Sequence, residues 1–187
     1  SKEINDQISI EEPWEIILKY KDKENWIKNT ISITMRTPGD DEDLVTGFLF
    51  NERVIEKINH IEKIDFSGEP VGQYKLQNKI IITINNSENV DIDKIKRNFL
   101  TNSSCGVCGK TSLDSLEIIK KDKIIESIPK INSEILMKSP YLLRQNQSEF
   151  SKTGGIHASG LFNTSGKIIA IKEDVGRHNA LDKLIGF

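Results

Sequence analysis

The pattern that most restricts the fold lies in the last third of the chain. Residues 156–162 and 167–171 are two extended runs, separated by the turn sequence Asn-Thr-Ser-Gly at residues 163–166. This arrangement predicts a β-hairpin. The second run is nearly all apolar, which predicts a strand buried on both of its faces. Residues 176–185 follow with a helical pattern, so we expect a hairpin and then a final helix.

The first half of the chain predicts more strands and one helix. Apolar and polar residues alternate at Ile31, Ile33 and Met35, as is typical of a strand. The acidic residues 40–43 are suited to begin a helix, because they can cap its first turn. That helix would carry the apolar residues Leu44, Phe48, Leu49 and Val54. Four strands are expected, at residues 14–20, 26–35, 64–66 and 79–84.

The remaining segments complete a mixed α/β pattern. Helices are expected at residues 91–99 and near residues 113–119, and a strand near residues 124–128. Two helices are expected to start at Ser133 and at Ser139-Pro140, because proline fits the first helical turn. The sequence therefore predicts an α/β protein in two parts. We expect an N-terminal α+β subdomain at residues 1–100 and a second domain at residues 101–187.

The net charge and the lengths of the apolar runs restrict the kinds of partner that we expect. The formal net charge is −2, which gives no electrostatic reason to expect nucleic acid or an acidic membrane. No apolar run reaches the length of a membrane helix, and the first residues have no apolar region of a signal peptide. We therefore expect a cytoplasmic protein.

Both cysteines of the chain lie in one polar, glycine-rich stretch, residues 101–110. A helical pattern follows Cys105 and Cys108, and a helix N-terminus stabilises a thiolate. Zinc needs four ligands, and a second Cys-x-x-Cys is absent. A thioredoxin-like site would need a strand before the pair and an uninterrupted helix after it. A nucleophile that carries sulfur as a persulfide fits an accessible loop best.

A second group of candidate residues lies near the C-terminus. Gly154 and Gly155 allow a ligand to approach the backbone closely, and His157 follows them. Arg177 and His178 stand where the final helix begins, which suits a phosphate or another anion. Asp174 could orient either histidine or cap the helix. The alternative interpretation is a capped helix with a hydrogen-bonded histidine.

These segments resemble one protein family, the FdhD family of sulfur-carrier accessory proteins of formate dehydrogenase. Three motifs carry the resemblance: Ser-Ser-Cys-Gly-Val-Cys-Gly-Lys at residues 103–110, Thr-Gly-Gly-Ile-His-Ala at 153–158, and the long Glu-Asp-Val-Gly-Arg-His-Asn-Ala-Leu-Asp-Lys-Leu-Ile-Gly at 173–186. Residues 35–38 and 47–52 are also similar to its N-terminal half. The resemblance spans nearly the whole chain.

The resemblance implies a function in sulfur transfer. A cysteine desulfurase would load sulfur onto Cys105, and Cys108 would assist its release. The sulfur would pass to the molybdenum (or tungsten) bis-guanine-dinucleotide cofactor that formate dehydrogenase needs. Its pyrophosphates would be held by Gly154, Gly155, His157, Arg177, His178 and Arg36. Because the ligands for zinc are missing, we expect no metal of the protein's own; the resemblance implies a homodimer.

The family also implies a fold similar to that of cytidine deaminases. Zinc deaminases carry His-x-Glu at the helix where this chain has His178-Asn179-Ala180, so deamination is disfavoured. Family members continue past the motif at residues 173–186, so we expect the second domain to be incomplete at its C-terminus. Two other functions stay open: a non-catalytic chaperone for the cofactor, and a zinc-dependent hydrolase.

Overall fold

A computed structural model of the protein describes residues 6–72, 74–85 and 129–187. The elements predicted at residues 91–128 lie outside this part, as does the cysteine loop. The fold is mixed α/β, as predicted. It contains strands β1 (Glu12–Asp22), β2 (Asn25–Arg36), β3 (Ile61–Val71), β4 (Leu76–Ile84), β5 (His157–Phe162) and β6 (Ile168–Asp174). Its helices are α1 (Asp41–Asn51), α2 (Ser133–Gln145), α3 (Ser148–Thr153) and α4 (Arg177–Gly186), with a short 3-10 helix at Ile58–His60.

The first four strands form one sheet in the order β2-β1-β4-β3. The pairs β1–β2 and β3–β4 are antiparallel, whereas β1 and β4 run parallel in the centre. Alternate residues of β1 point to the same face, and Trp14, Ile16, Leu18 and Tyr20 are all buried there. Helix α1 covers this face with Leu44, Val45 and Leu49. The apolar core of the protein therefore lies between α1 and the sheet.

Strand β2 contains a bulge that its sequence pattern does not reveal. Ile16 pairs with Ser32 and Ile17 pairs with Thr30, so Ile31 is an extra residue. Because side chains alternate along a strand, one extra residue exchanges the two faces beyond it. Ile31 is buried, whereas Ile33 is 66% exposed. The bulge thereby turns Thr34 and Arg36 toward the interior and leaves Ile33 and Met35 outside.

Strands β5 and β6 form the predicted hairpin, and α4 packs beside it. Helix α4 also packs closely against α1. A side chain at Gly47 of α1 would clash with the Asp182 carbonyl of α4, and one at Gly186 of α4 would clash with the Asp43 carbonyl of α1. The two glycines thus allow the backbones of α1 and α4 to meet at two points. This contact joins the hairpin region to the first sheet.

Two predictions for the second half are wrong. The helix start at Ser139-Pro140 is absent, because Pro140 lies inside the continuous helix α2. A separate short helix, α3, follows instead of one that reaches residue 150. Strand β6 is not buried on both faces, since Ile169 is 53% exposed among the described residues. None of the described helices is long and apolar enough to span a membrane.

Candidate functional site

The hairpin brings the two predicted C-terminal motifs to one end of the molecule. His157, the first residue of β5, lies opposite Asp174, the last residue of β6. The glycine pair immediately precedes β5, and the turn into α4 immediately follows β6. The side chains of His157, Arg177 and His178 are exposed. We call this surface the hairpin end; it comprises Gly154, Gly155, His157, Arg177 and His178.

The two glycines have different local roles. Gly154 is the C-cap of α3 and adopts the left-handed conformation, with φ of 70°, which favours glycine. At Gly155, an added Cβ would meet only the Thr153 carbonyl oxygen, 3.9 Å away. The backbone at Gly155 is therefore open to approach from solvent, as the sequence suggested.

Glu173 fixes the glycine segment from the other strand. Its carboxylate accepts hydrogen bonds from the backbone N–H groups of Glu149 (3.0 Å) and Phe150 (2.9 Å) and from the Ser148 hydroxyl (3.2 Å). These groups form the N-terminus of α3, where a carboxylate is stabilising. Since α3 ends at the glycine pair, Glu173 holds that segment beside β6.

Asp174 fixes the turn into α4. Its carboxylate has no exposed surface. Oδ1 accepts from the Gly176 N–H (2.8 Å) and the Asn179 amide (3.0 Å), and Oδ2 accepts from the Thr37 N–H (3.1 Å). The sequence predicted that Asp174 orients a histidine or caps the helix, but the N-cap is Gly176 and has no side-chain cap; Asp174 instead holds the turn that precedes α4. Its described side-chain partners are Asn179 and Lys183 rather than a histidine.

Lys183 neutralises the buried Asp174 carboxylate beneath the turn that leads into α4. Its ammonium lies 2.8 Å from Asp174 Oδ2, and both side chains are buried. It also donates to the carbonyl oxygens of Thr37 (2.8 Å) and Glu173 (3.3 Å). The Thr37 hydroxyl accepts from the Val175 N–H at 3.1 Å. The end of β2 and the start of α4 therefore share one hydrogen-bonded network.

Arg36 differs sharply from Arg177 in its surroundings. The Arg36 side chain is 1% exposed and lies between Asp41 (2.8 Å) and Glu12 (3.6 Å), over the ring of Trp14. Burial raises the pKa of Asp41, although the Arg36 guanidinium acts in the opposite direction. No carboxylate of the described residues pairs with Arg177. The structure therefore presents Arg177 to solvent and holds Arg36 inside, and binding by Arg36 stays a sequence prediction.

Cys105 and Cys108 lie outside the described residues, so their predicted roles stay predictions. Within residues 6–72, 74–85 and 129–187, no group of three or more His, Cys, Asp and Glu side chains is placed to hold a metal ion. What the described part offers is a surface for an anion. It combines an exposed guanidinium, the N-terminus of a ten-residue helix and an open glycine backbone.

Sequence reasoning missed the residues beneath this surface. Asn179 and Lys183 lie four residues apart on α4 and so share one helical face. Lys183 follows Asp182 directly, and a charged pair in a helix is commonly exposed. The spacing of four residues between Asn179 and Lys183 was the one signal available, and it shows only that they share a helical face. Only the fold shows that the Thr37 segment closes the network.

Comparison with known proteins agrees with the sequence resemblance. Residues 11–187 match the FdhD/NarQ family. A protein from Picrophilus torridus named sulfur carrier protein FdhD is 43% identical over 99% of this chain and 64% of its own length. Proteins of the same name from Sulfolobus acidocaldarius and Streptomyces coelicolor are each 39% identical over 97% of this chain, and the matches cover 61% and 62% of their lengths.

The fold is also similar to a known crystal structure, that of a protein from Desulfotalea psychrophila described as a formate dehydrogenase accessory protein. The TM-score is 0.63 with 23% sequence identity, over 99% of this chain and 62% of that one. The chain thus spans less than two thirds of the length of these relatives. Because the family match covers nearly every residue and the identity reaches 43%, the chain belongs to the FdhD/NarQ family.

Proposed function

We propose that this chain is a sulfur carrier in the maturation of formate dehydrogenase. It would accept a persulfide sulfur from a cysteine desulfurase and pass it to the molybdenum (or tungsten) bis-guanine-dinucleotide cofactor. The observation that carries the proposal is the hairpin end. In a member of the FdhD/NarQ family, this surface contains an exposed arginine, an exposed histidine and two exposed glycines, which supports binding of an anion.

The cysteine chemistry of the proposal balances without an external oxidant. The Cys105 thiolate attacks the outer sulfur of the desulfurase persulfide, and the desulfurase cysteine leaves as a thiolate. A new S–S bond on Cys105 replaces the one that breaks. If Cys108 assists, its thiolate attacks the inner sulfur of the Cys105 persulfide. The products are a Cys105–Cys108 disulfide and a hydrosulfide ion.

The cofactor enters this proposal as the acceptor substrate. Its pyrophosphate groups need N–H donors and cations, and the start of α4 and Arg177 supply both. The open backbone at Gly155 leaves room for such a group. We extend the proposal to a deaminase-like core, in which β5, β6 and α4 would take part. The desulfurase, formate dehydrogenase and a second copy of this chain are the proposed partners.

Persulfide formation on Cys105 is the direct test. The protein is incubated with a cysteine desulfurase and cysteine, and the mass of each cysteine peptide is measured without reductant. We expect a gain of one sulfur atom on Cys105 in the unchanged chain and in Cys108→Ala. The Cys105→Ala variant should gain none. Equal sulfur loading of the Cys105→Ala variant would contradict the carrier role.

Guanosine diphosphate serves as the probe of the hairpin end. Loss of one charge-assisted contact in Arg177→Ala should weaken its binding about tenfold. Lys28→Ala removes an exposed charge from the far end of β2 and serves as the control. If the nucleotide binds and Cys105 never gains sulfur, the chain is a non-catalytic cofactor chaperone instead. If Arg177→Ala and Lys28→Ala bind alike, the hairpin end is not the nucleotide site.

A further inference from the structure

The charged side chains around the start of α4 divide into two groups. Arg177 and His178 are exposed in front of the turn, whereas Asp174 and Lys183 are buried behind it. The buried pair does not reach the surface, so it cannot touch a ligand bound at the hairpin end. Any effect of Asp174 or Lys183 on that ligand has to act through the turn between them.

We infer that Asp174 and Lys183 are positioning residues for the hairpin end. They fix the turn that carries Arg177, and Lys183 cancels a negative charge that would repel an anion there. The inference rests on the proposed anion binding, and it adds a control of that binding by residues that do not touch the ligand.

The fixing of the turn follows from the donors that converge on it. The N–H groups of Val175 and Gly176 both point inward, to the Thr37 hydroxyl at 3.1 Å and to Asp174 Oδ1 at 2.8 Å. Asn179 donates to the Met35 carbonyl at 2.8 Å, which ties the first turn of α4 to β2. These bonds use the inward-facing donors, so the outer side of the turn is left to Arg177 and His178.

The charge argument concerns the same carboxylate. A carboxylate at a helix N-terminus interacts with the same partial positive charge that would attract a bound anion. Asp174 Oδ1 lies at the N-cap residue Gly176. Without Lys183, its full negative charge would act on the hairpin end through a poorly screened interior. The ammonium at 2.8 Å reduces this field, so that the carboxylate opposes the positive Arg177 and the helix N-terminus less strongly.

The test removes the charge of Lys183 alone and then together with that of Asp174. Lys183→Met removes the ammonium with little change in shape. We expect about tenfold weaker binding of guanosine diphosphate, because an unbalanced carboxylate remains under the helix start. Amide hydrogen exchange at Val175 and Gly176 should become faster. In Asp174→Asn/Lys183→Met the side chain at 174 is neutral, but its single oxygen cannot accept on both sides, where Gly176 and Thr37 donate. Affinity should therefore recover only in part, to about threefold above that of Lys183→Met.

Two further variants guard the result. Lys172→Met removes a different lysine, which is partly buried and pairs with Asp40 and Asp43. Its affinity for guanosine diphosphate should stay within about threefold of that of the unchanged chain. Thr37→Val removes the hydroxyl that receives the Val175 N–H and leaves every charge in place. It should speed exchange at Val175 even if Lys183→Met does not fold. All affinities are measured well below each variant's unfolding temperature.

The outcomes separate this inference from a purely structural role. A pair that only stabilises the fold would lower the unfolding temperature of Lys183→Met and leave its nucleotide affinity unchanged, which would overturn the inference. A double variant that binds as weakly as Lys183→Met would overturn it too, as would unchanged exchange in Thr37→Val. If no form of the chain binds the nucleotide, the proposed cofactor site fails. Amide hydrogen exchange at Val175 and Gly176 then tests the inference. Rates in Lys183→Met equal to those in the unchanged chain would overturn it.

Discussion

The two described regions of the molecule differ in the balance of apolar and polar side chains in their interiors. Residues 6–85 bury a large apolar core that includes Trp14, Ile16, Leu18 and Tyr20, and the buried polar side chains of this region are Glu12, Arg36, His60 and Thr83. In residues 129–187, the buried apolar side chains are Ile156 and Ala180. The buried polar ones are Gln147, Asp174, Asn179, Asp182 and Lys183.

This difference indicates how each region keeps its shape. Apolar contacts are not directional, so the first region tolerates small shifts at a modest cost. A buried polar network loses much of its stability when any partner moves, because an unpaired polar group remains inside. The region that carries the hairpin end is thus held in one geometry by hydrogen bonds to the end of β2 and by the contact between α1 and α4.

The largest expected effect tests the apolar half of the comparison. Leu18 of β1 is fully buried between the sheet and α1. Leu18→Ala should lower the free energy of unfolding by about 4 kcal/mol, because it removes buried methyl groups and leaves a cavity. Chemical denaturation followed by circular dichroism measures the change. A loss below about 1 kcal/mol would mean that the first region does not depend on its apolar core.

The contact between the regions comes next. Gly47→Ala would drive a methyl group into the Asp182 carbonyl of α4. We expect a loss of about 3 kcal/mol in the free energy of unfolding, since the backbones must separate to admit it. Gly155→Ala is the matched control, because it points into open space, and it should change stability by less than about 0.5 kcal/mol. Equal effects of the two variants would refute close backbone packing of α1 on α4.

A substitution of Asp182, at the contact between α1 and α4, should stabilise the protein. Burial raises its pKa to about 6 from 3.8, although Asn51 donates a hydrogen bond to it. The folded state thus holds this proton more tightly than the unfolded state. Its contribution is fully favourable below about pH 4, declines as the pH rises toward 6, and stays lost above that.

Asp182→Asn removes this titration. At pH 7.5 the variant should be more stable than the unchanged chain by about 2 to 3 kcal/mol, from about 1.4 kcal/mol per pKa unit. The advantage should shrink steadily between pH 6 and pH 4. Unfolding free energies of both proteins across that range provide the measurement. An advantage that does not depend on pH would show that ionisation of Asp182 is not its source.

The smallest expected effect concerns an exposed ion pair, which we compare with the buried pair of Asp174 and Lys183. Lys79 of β4 contacts Glu15 of β1 at 2.7 Å on the solvent face of the sheet, and its hydrogen bond lowers the pKa of Glu15. Lys79→Met should cost only about 0.5 kcal/mol and less at high salt. Lys183→Met, measured in parallel, should cost several-fold more. Equal costs would remove the distinction between the two kinds of region.

Much of the fold was predictable because it follows local patterns. Strands β1 and β2, the hairpin β5–β6 and the helices α1 and α4 lie close to where alternation, turn residues and capping signals placed them. The parallel pairing of β1 with β4 was not predictable, since strand order depends on contacts far apart in sequence. Pro140 was misread because proline suits a helix start in general, while here α2 continues through it.

The residues beneath the candidate site were not predictable from the sequence. The motif positions Gly155, His157, Arg177 and His178 are exposed near the end of the hairpin, and their role in binding stays a prediction. The family resemblance, together with its charge, predicts Arg36 as a binding residue, and nothing local in the sequence indicates that Glu12 and Asp41 enclose it. The inner side of the site depends on Thr37, which is 137 residues before Asp174. The periodicity of helices and strands cannot predict a contact between residues that are so far apart in the sequence.

The extra residue at Ile31 has a consequence for how this protein tolerates change. In a strand, the count of residues decides whether a side chain faces in or out, and the bulge resets that count just before Thr34 and Arg36. Without Ile31, Thr30 and Ser32 would still lie opposite Ile17 and Ile16, and Arg36 would keep its inward direction. One added residue after Ser32 would have the opposite effect, because it would turn Ile33 and Met35 inward. It would also move Arg36 away from its two carboxylates and Thr34 away from Asn179. The end of β2 should therefore tolerate the loss of one residue better than the gain of one, since only the gain breaks its contacts with the other elements.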